Sequence, residues 1–281
     1  MARMAYLRRT LVVPAGLEEL VVGRLWAAGT LGVEIESGSD GSVRLAAWFP
    51  VDAEPVALPP EIQLLVEEPI LDADWLAAWR ERSRPFPLGA SFFVAPREPD
   101  VEPVEVPAGR RLLRLPARAA FGTGSHESTR LAVELLEEVD LAGRRVLDVG
   151  TGTGILAFAS LALGAAAATA FDLDPAAPFH ARDNARLNGF HLHLFAGTVA
   201  ALRESARFDL AVANLVPEEL LPELAAVARR LAPRGEVILS GILEERGGEV
   251  LERGAALGLA ERARRGVGEW VAFRLAREGG A

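Results

Sequence analysis

Val146-Leu-Asp-Val149 runs straight into Gly150-Thr-Gly152-Thr-Gly154 and then into Ile155-Leu156, a combination that leaves the chain few folds to choose from. An apolar strand enters a turn whose glycines accept unusual dihedrals and let the backbone approach a ligand without an intervening Cβ, and a helix leaves it. The flanking sequence supplies the sheet that such a turn needs. From Ala119 onward, short apolar runs at Arg145–Val149, Ala167–Phe171, Leu192–Phe195, Asp209–Ala213 and Val237–Leu239 alternate with helical segments around 126–138, 154–163, 175–188, 217–231 and 244–257. This alternation predicts an α/β fold with a doubly wound, Rossmann-like parallel sheet whose ligand lies beyond the carboxyl ends of the strands. Gly268–Leu275 reads as one more strand, antiparallel at the sheet's end.

The first seventy residues have a different pattern. Leu31, Val33 and Ile35 alternate with polar or small residues, and Val43, Leu45, Ala47 and Phe49 do the same after a Ser-Gly-Ser-Asp-Gly turn at 37–41. Period two on both sides of a turn predicts a hairpin. Leu17, Leu20, Val21 and Leu25 follow helical spacing, with Gly29 as the stop, and further strands are expected at Tyr6–Val13 and Ile62–Val66. Residues 1–70 are therefore expected to form a small α/β domain. Residues 71–115 contain Trp75, Leu76 and Trp79 on one side of a short helix, then a proline-rich stretch with strands near 91–95 and 111–115. This segment reads as a connector and linker, with the second domain at 116–281.

Composition removes several chemistries. The 281 residues include no cysteine, and all 30 basic residues are arginine. Thiol nucleophiles, cysteine-ligated metals, a P-loop lysine and a lysine Schiff base are excluded. The net charge of −9 disfavours a broad phosphate-binding surface, so direct nucleic-acid binding is not expected, although a local arginine cluster could still carry it. No segment near the start is apolar enough for a signal peptide, and a cytoplasmic location is expected. The uncharged stretch Val149–Phe171 is long enough to span a bilayer, but its four glycines fit a loop, a helix and a strand better. No membrane association is expected.

Three segments carry chemistry. Asp172 ends the strand after the glycine turn, 22 residues beyond Gly150, where a carboxylate can accept from both hydroxyls of a ribose. A nicotinamide-binding fingerprint would need glycine at 155 after Gly150 and Gly152, and the chain has Ile155. Phe121-Gly-Thr-Gly-Ser-His-Glu-Ser-Thr129 opens the helix at 126–138. Ser125 is a candidate cap there, with Thr123, Ser128 and Thr129 bringing hydroxyls, at a helix N-terminus suited to a carboxylate. Asp209-Leu-Ala-Val-Ala-Asn214 ends a buried strand in an amide that donates and accepts at once. Other signals are weaker. His191 and His193 would share a strand face, but no third ligand is evident and no metal site is assigned. The arginines at 253, 262, 264 and 265 read as a solvated edge.

Gly-x-Gly-x-Gly preceded by Asp148 resembles the first motif of class I S-adenosylmethionine methyltransferases. With the segments at 121–129, Asp172-Leu-Asp-Pro175, Asn184–Gly189, Ala213-Asn-Leu215, Ser240-Gly-Ile-Leu243 and Glu269-Trp270, the chain closely resembles the PrmA family, methyltransferases of ribosomal protein L11. The likeness covers about 72–275. It departs at Ser128, where the family pattern has threonine, and at Pro116-Ala-Arg-Ala-Ala120. The resemblance implies S-adenosylmethionine as cofactor, contacted by Thr129, Gly150, Asp172 and Asn214, with Phe121 and Gly152 beside them. It also implies lysine side chains and an α-amine of a ribosomal protein as acceptors, recognised by the N-terminal domain. No residue stands out as a general base. Two alternatives share these residues: a lysine methyltransferase of another protein, and a non-catalytic cofactor-binding module that docks on ribosomal components.

Overall fold

A computed structural model describes residues 4–14, 17–30, 32–37, 42–51, 53–56, 58–60, 62–71, 84–96, 103–116 and 124–277. The chain divides into two compact units, Met1–Ser83 and Arg84–Ala281. The Trp75 and Trp79 segment and Phe121 lie outside the described residues.

The first unit holds β1 (Met4–Pro14), α1 (Glu18–Ala27), β2 (Gly32–Ser37), β3 (Ser42–Pro50) and β4 (Gln63–Leu71). Its sheet is antiparallel in the order β2-β3-β1-β4. The alternation read from the sequence sets the buried face: Leu11, Val13, Val43, Leu45, Ala47 and Phe49 pack with Val21 and Leu25 of α1. Gly29, at φ +79, ends the helix as the Thr30 amide returns to the Leu25 carbonyl, an arrangement that the left-handed conformation allows. Arg9 is buried beneath this sheet. It donates to Glu67 at 2.6 Å and to the Glu54 carbonyl at 3.0 Å, with its guanidinium 4.7 Å from the Phe49 ring centre.

The second unit begins earlier than the sequence reading places it. β5 (Phe86–Leu88), β6 (Phe92–Ala95) and β7 (Arg111–Arg114) form a three-stranded sheet. Leu88, Phe92, Val94, Leu113 and Leu115 join the same core as Leu131 and Leu135 of α2 (Glu127–Glu137). Polar ties reinforce this packing. Glu137 accepts from the amides of Ala90 and Ser91 at 2.9 and 2.7 Å, and the Asn188 amide pairs with both backbone groups of Arg114 at 2.8 Å. Residues 84–115 thus belong to the second unit's core, despite the prolines that give the segment a linker's composition.

The main sheet follows: β8 (Arg145–Val149), α3 (Ile155–Ala162), β9 (Ala167–Asp172), α4 (Ala177–Asn188), β10 (His193–Ala196), β11 (Phe208–Asn214), α5 (Pro217–Arg230), β12 (Leu231–Leu243), α6 (Gly247–Ala256), β13 (Leu259–Val267) and β14 (Trp270–Arg277). Its order is β10-β9-β8-β11-β12-β14-β13. The first five strands are parallel, and β14 and β13 are antiparallel to their neighbours. The chain winds outward from β8 through β9 to β10 and then returns to place β11 on the other side of β8. A crevice opens at that reversal, between the carboxyl ends of β8 and β11.

The uncharged stretch 149–171 resolves into the glycine turn, α3 and β9, and α3 is apolar almost all round because it is buried. No helix among the described residues is long and apolar enough to cross a membrane. β13, Leu-Ala-Glu-Arg-Ala-Arg-Arg-Gly-Val, is largely exposed and lacks alternating hydrophobicity; its pairing with β14 makes it a strand.

Candidate cofactor site

Asp148 organises the turn from beneath. Its Oδ2 accepts from the Thr151 hydroxyl at 2.7 Å and from the Ala157 amide at 3.2 Å. Ala157 is the third residue of α3, whose first turn has no side-chain cap because Gly154 holds the N-cap position. A carboxylate from the preceding strand does that work instead. Burial pushes the Asp148 carboxyl up to about 7, against the two hydrogen bonds, and Asp172 adds a smaller push in the same direction. The Phe171 carbonyl accepts from both the Gly150 and Thr151 amides, so the turn is stitched to the end of β9. From α4, the buried Asn184 donates to the Thr153 carbonyl at 3.0 Å.

Asp172 completes the stitching. Its Oδ2 accepts from the Gly152 amide at 2.9 Å and its Oδ1 from the Asp174 amide at 3.0 Å. Each oxygen keeps capacity for another donor, so the carboxylate can shape the turn and still receive two hydroxyls.

Gly150 and Gly241 flank a single wedge, Leu215. Gly150 has φ +72, and a Cβ there would stand 2.5 Å from Leu215 Cδ2. Gly241 has φ +80, and its Cβ would stand 2.7 Å from the Leu215 carbonyl oxygen. Gly241 sits in a bulge of β12, where its register against β14 slips between Leu239 and Ile242. Both positions therefore require glycine for their backbone and for the space that Leu215 fills.

Asn214 Nδ2 donates to Thr129 Oγ1 at 3.1 Å, joining the end of β11 to the start of α2. Its Oδ1 is buried and finds no hydrogen-bond partner among the described residues. The cap of α2 is His126 rather than the expected Ser125: the imidazole accepts from the Ser128 amide at 3.2 Å. His126 also meets the Ser128 hydroxyl at 2.7 Å and the edge of Trp270 at 4.6 Å between centroids. Ser128 is thereby committed to the cap, and its carbonyl accepts from Ser240 Oγ at 2.8 Å.

These pieces enclose a cavity of about 390 Å³. Five of the six residues expected at the site, Thr129, Gly150, Gly152, Asp172 and Asn214, line it. Phe121 lies outside the described residues. A second recess, about 220 Å³, shares Gly150, Asp172, Leu215 and Glu219 with the first, so the two meet around Asp172. The sequence reading did not assign Thr151, Ile155, Leu215, Glu219, Gly241 or Trp270 to the lining. Their shared signal is position at or just beyond the carboxyl ends of β8, β11 and β12, in the turns and first helical turns that follow, with Trp270 opposite Leu243 at the start of the antiparallel β14. His191 precedes β10, so it does not share a strand face with His193, and the described residues contain no cluster of three metal-ligating side chains.

Among the described residues, the lining carries two carboxylates, Asp172 and Glu219, and no arginine. Such a cavity favours a cationic ligand over a pyrophosphate-bearing dinucleotide. S-adenosylmethionine fits this chemistry: it has a positive sulfur, a ribose diol for Asp172 and polar groups for the unpartnered Asn214 oxygen.

The family model for ribosomal protein L11 methyltransferase (PrmA) matches residues 51–278. A ribosomal protein L11 methyltransferase of Pelobacter propionicus is 33% identical over 302 residues, covering 95% of this chain and 96% of its own. The Deinococcus radiodurans protein of that name is 40% identical over 227 residues, covering 78% of each chain. The crystal structure of ribosomal protein L11 methylase from Lactobacillus delbrueckii subsp. bulgaricus aligns with a TM-score of 0.63 at 30% identity, over 69% of this chain and 99% of that one. With a class I methyltransferase sheet and a crevice suited to S-adenosylmethionine as the methyl donor, the chain belongs to the PrmA family of protein methyltransferases.

Proposed function

We propose that this chain transfers methyl groups from S-adenosylmethionine to amino groups of ribosomal protein L11, on lysine side chains and an α-amine, in the cytoplasm. The observation that carries the reading is the crevice between β8 and β11. It has two carboxylates, no arginine among its described lining, and an Asn214 oxygen left unpartnered, in a chain that the family model matches from 51 to 278. Asp172 holds the ribose, the Gly150–Gly152 turn packs against the cofactor, and Thr129 fixes the Asn214 amide so that its oxygen faces the cofactor or the incoming amine. The bound cofactor supplies an activated methyl group. What the chain contributes is alignment of a neutral amine and exclusion of water, with Leu215 and Trp270 as apolar walls.

The first unit recognises the protein substrate. It has no catalytic constellation, and its first 69 residues hold five arginines against ten acidic residues, a balance that suits a basic ribosomal protein. Incubation with radiolabelled S-adenosylmethionine and purified ribosomal proteins tests the substrate: label is expected in L11. Label in another protein, or in none, overturns the reading. A fragment beginning at Arg84 is expected to bind S-adenosylmethionine but to methylate intact L11 poorly. Full-rate methylation by that fragment removes recognition from the first unit. Starting the fragment near Arg110 would strip Phe92 and Val94 from the core, so it is the poorer choice.

A further inference from the structure

Beside the start of β11, at the end of the sheet away from the glycine turn, Arg207, Arg229, Arg230 and Arg277 line a cavity of about 620 Å³ together with Glu204. β11 runs seven residues from here to Asn214, so the cavity lies roughly 20 Å from the cofactor crevice. Several arginines elsewhere on the second unit's surface are neutralised in place. Arg144 and Arg274 share Glu236, Arg246 holds Glu218 and Glu249, Arg264 meets Glu261 and Glu244, and Arg265 meets Glu138. Two members of the arginine cluster singled out in the sequence, Arg264 and Arg265, are thus already paired.

The four cavity arginines are gathered in one recess without such pairing. No carboxylate among the described residues forms an ion pair with any of them, although the whole chain carries 39 acidic residues. Three are held by backbone carbonyls instead. Arg207 donates to Glu204 and Ala206 at 2.6 and 2.8 Å, Arg230 to Leu202 at 3.1 Å and Glu204 at 3.5 Å, and Arg277 to Ala228 at 2.5 Å. Arg207 and Arg230 therefore reach toward one carbonyl oxygen, Arg230 from the long limit of a hydrogen bond, which keeps their donor nitrogens within about 6 Å of each other. The buried Nε atoms of Arg230 and Arg277 have no partner among the described residues. The end of α5 accounts for cations near its last turn. It does not account for the arrival of Arg207 and Arg277 from other segments, or for the lack of an ion pair with the Glu204 carboxylate that shares the lining.

We infer that this cavity binds an oxyanion of the phosphate class. Guanidinium groups fixed by carbonyls present their remaining N–H donors in the planar fork that phosphate oxygens match, and the concave wall gathers them around one ligand. The ligand is either a small free phosphate compound or the phosphodiester of a nucleic-acid strand. This inference is independent of the proposed methyl acceptor.

The test titrates the full-length protein with pyrophosphate by calorimetry and with a labelled 12-nucleotide single-stranded RNA by fluorescence anisotropy, with pyrophosphate as competitor. Arg229→Glu and Arg207→Gln are compared with the wild type, and S-adenosylmethionine affinity reports an intact fold. Arg229 is exposed, so its replacement leaves the core untouched. Saturable binding that falls about tenfold or more in both variants, with cofactor affinity unchanged, is expected, the tenfold matching loss of one charge-assisted contact. Pyrophosphate binding without RNA binding identifies a small anion. RNA binding displaced by pyrophosphate identifies a strand. Absence of saturable binding to either probe, binding unchanged in both variants, or RNA binding that pyrophosphate does not displace overturns the inference.

Discussion

Replacing Asp148 with asparagine isolates the cost of burying a carboxylate under the cofactor turn. Asp148 is 1% exposed, and only Oδ2 has partners among the described residues, the Thr151 hydroxyl and the Ala157 amide. Burial raises the carboxyl from 3.8 to about 7. Below pH ~4 the group is protonated in both states and its favourable contribution relative to the ionised form is complete. As pH rises from about 4 to about 7, the unfolded chain has lost a proton that the folded chain still holds, so that contribution drains away and stability falls. Between pH 5 and 8 the expected loss is about 3 kcal/mol, from some two pH units at about 1.4 kcal/mol each. Asparagine keeps the acceptor for Thr151 and Ala157 and does not titrate. It also places an amide where Oδ1 has no partner, costing about 1–3 kcal/mol at every pH. Urea unfolding of both proteins at pH 5 and pH 8 separates these effects, because every other titration is common to both and cancels. The stability of Asp148→Asn relative to wild type should rise by about 3 kcal/mol between the two pH values. If the two proteins keep a constant difference, to within about 0.5 kcal/mol, the burial reasoning is refuted.

Three further outcomes follow from the crevice. Asp172→Ala should weaken S-adenosylmethionine binding by about 1.5–3 kcal/mol in calorimetry, and Asp172→Asn should retain part of the affinity because one oxygen can still accept from Gly152. Unchanged affinity in the alanine variant would exclude Asp172 from the cofactor's contacts. Asn214→Ala should lower the methyl-transfer rate while leaving the thermal transition within a few degrees of wild type, since it empties a small volume at a strand end; full activity would make Asn214 a structural amide. Gly241→Ala should destabilise the second unit by about 1–3 kcal/mol and weaken cofactor binding, because the new methyl meets the Leu215 carbonyl at a positive φ. Wild-type stability there would show that the bulge relaxes freely.

The sequence alone determined the parts of this molecule that depend on near neighbours along the chain. Periods of 3.6 and 2 set which face of a helix or strand is apolar, so α1 to α6, the first four parallel strands and the β2–β3 hairpin were legible within a few residues of their observed bounds, while only the central Val237–Leu239 of β12, which runs from Leu231 to Leu243, was read as strand. The glycine turn was legible for the same reason: Gly150 to Gly154 encode their own backbone, and Asp172 lies a fixed strand and helix away. The tertiary structure decided what depends on distant partners. β13 is too charged to look like a strand and exists through its pairing with β14. Residues 84–115 look like a linker because prolines dominate them locally, yet Phe92, Val94 and Leu113 are buried by a helix that begins at Glu127. His126 outcompetes Ser125 as the cap because it can also lean on Trp270, more than 140 positions away. The same holds for the crevice wall and the arginine cavity. Leu215 is placed by Gly150 and Gly241, and Arg207 and Arg230 are brought to the Glu204 carbonyl where the last turn of α5 meets the segment that leads into β11. No window of sequence contains such contacts, because folding the chain is what brings their partners together.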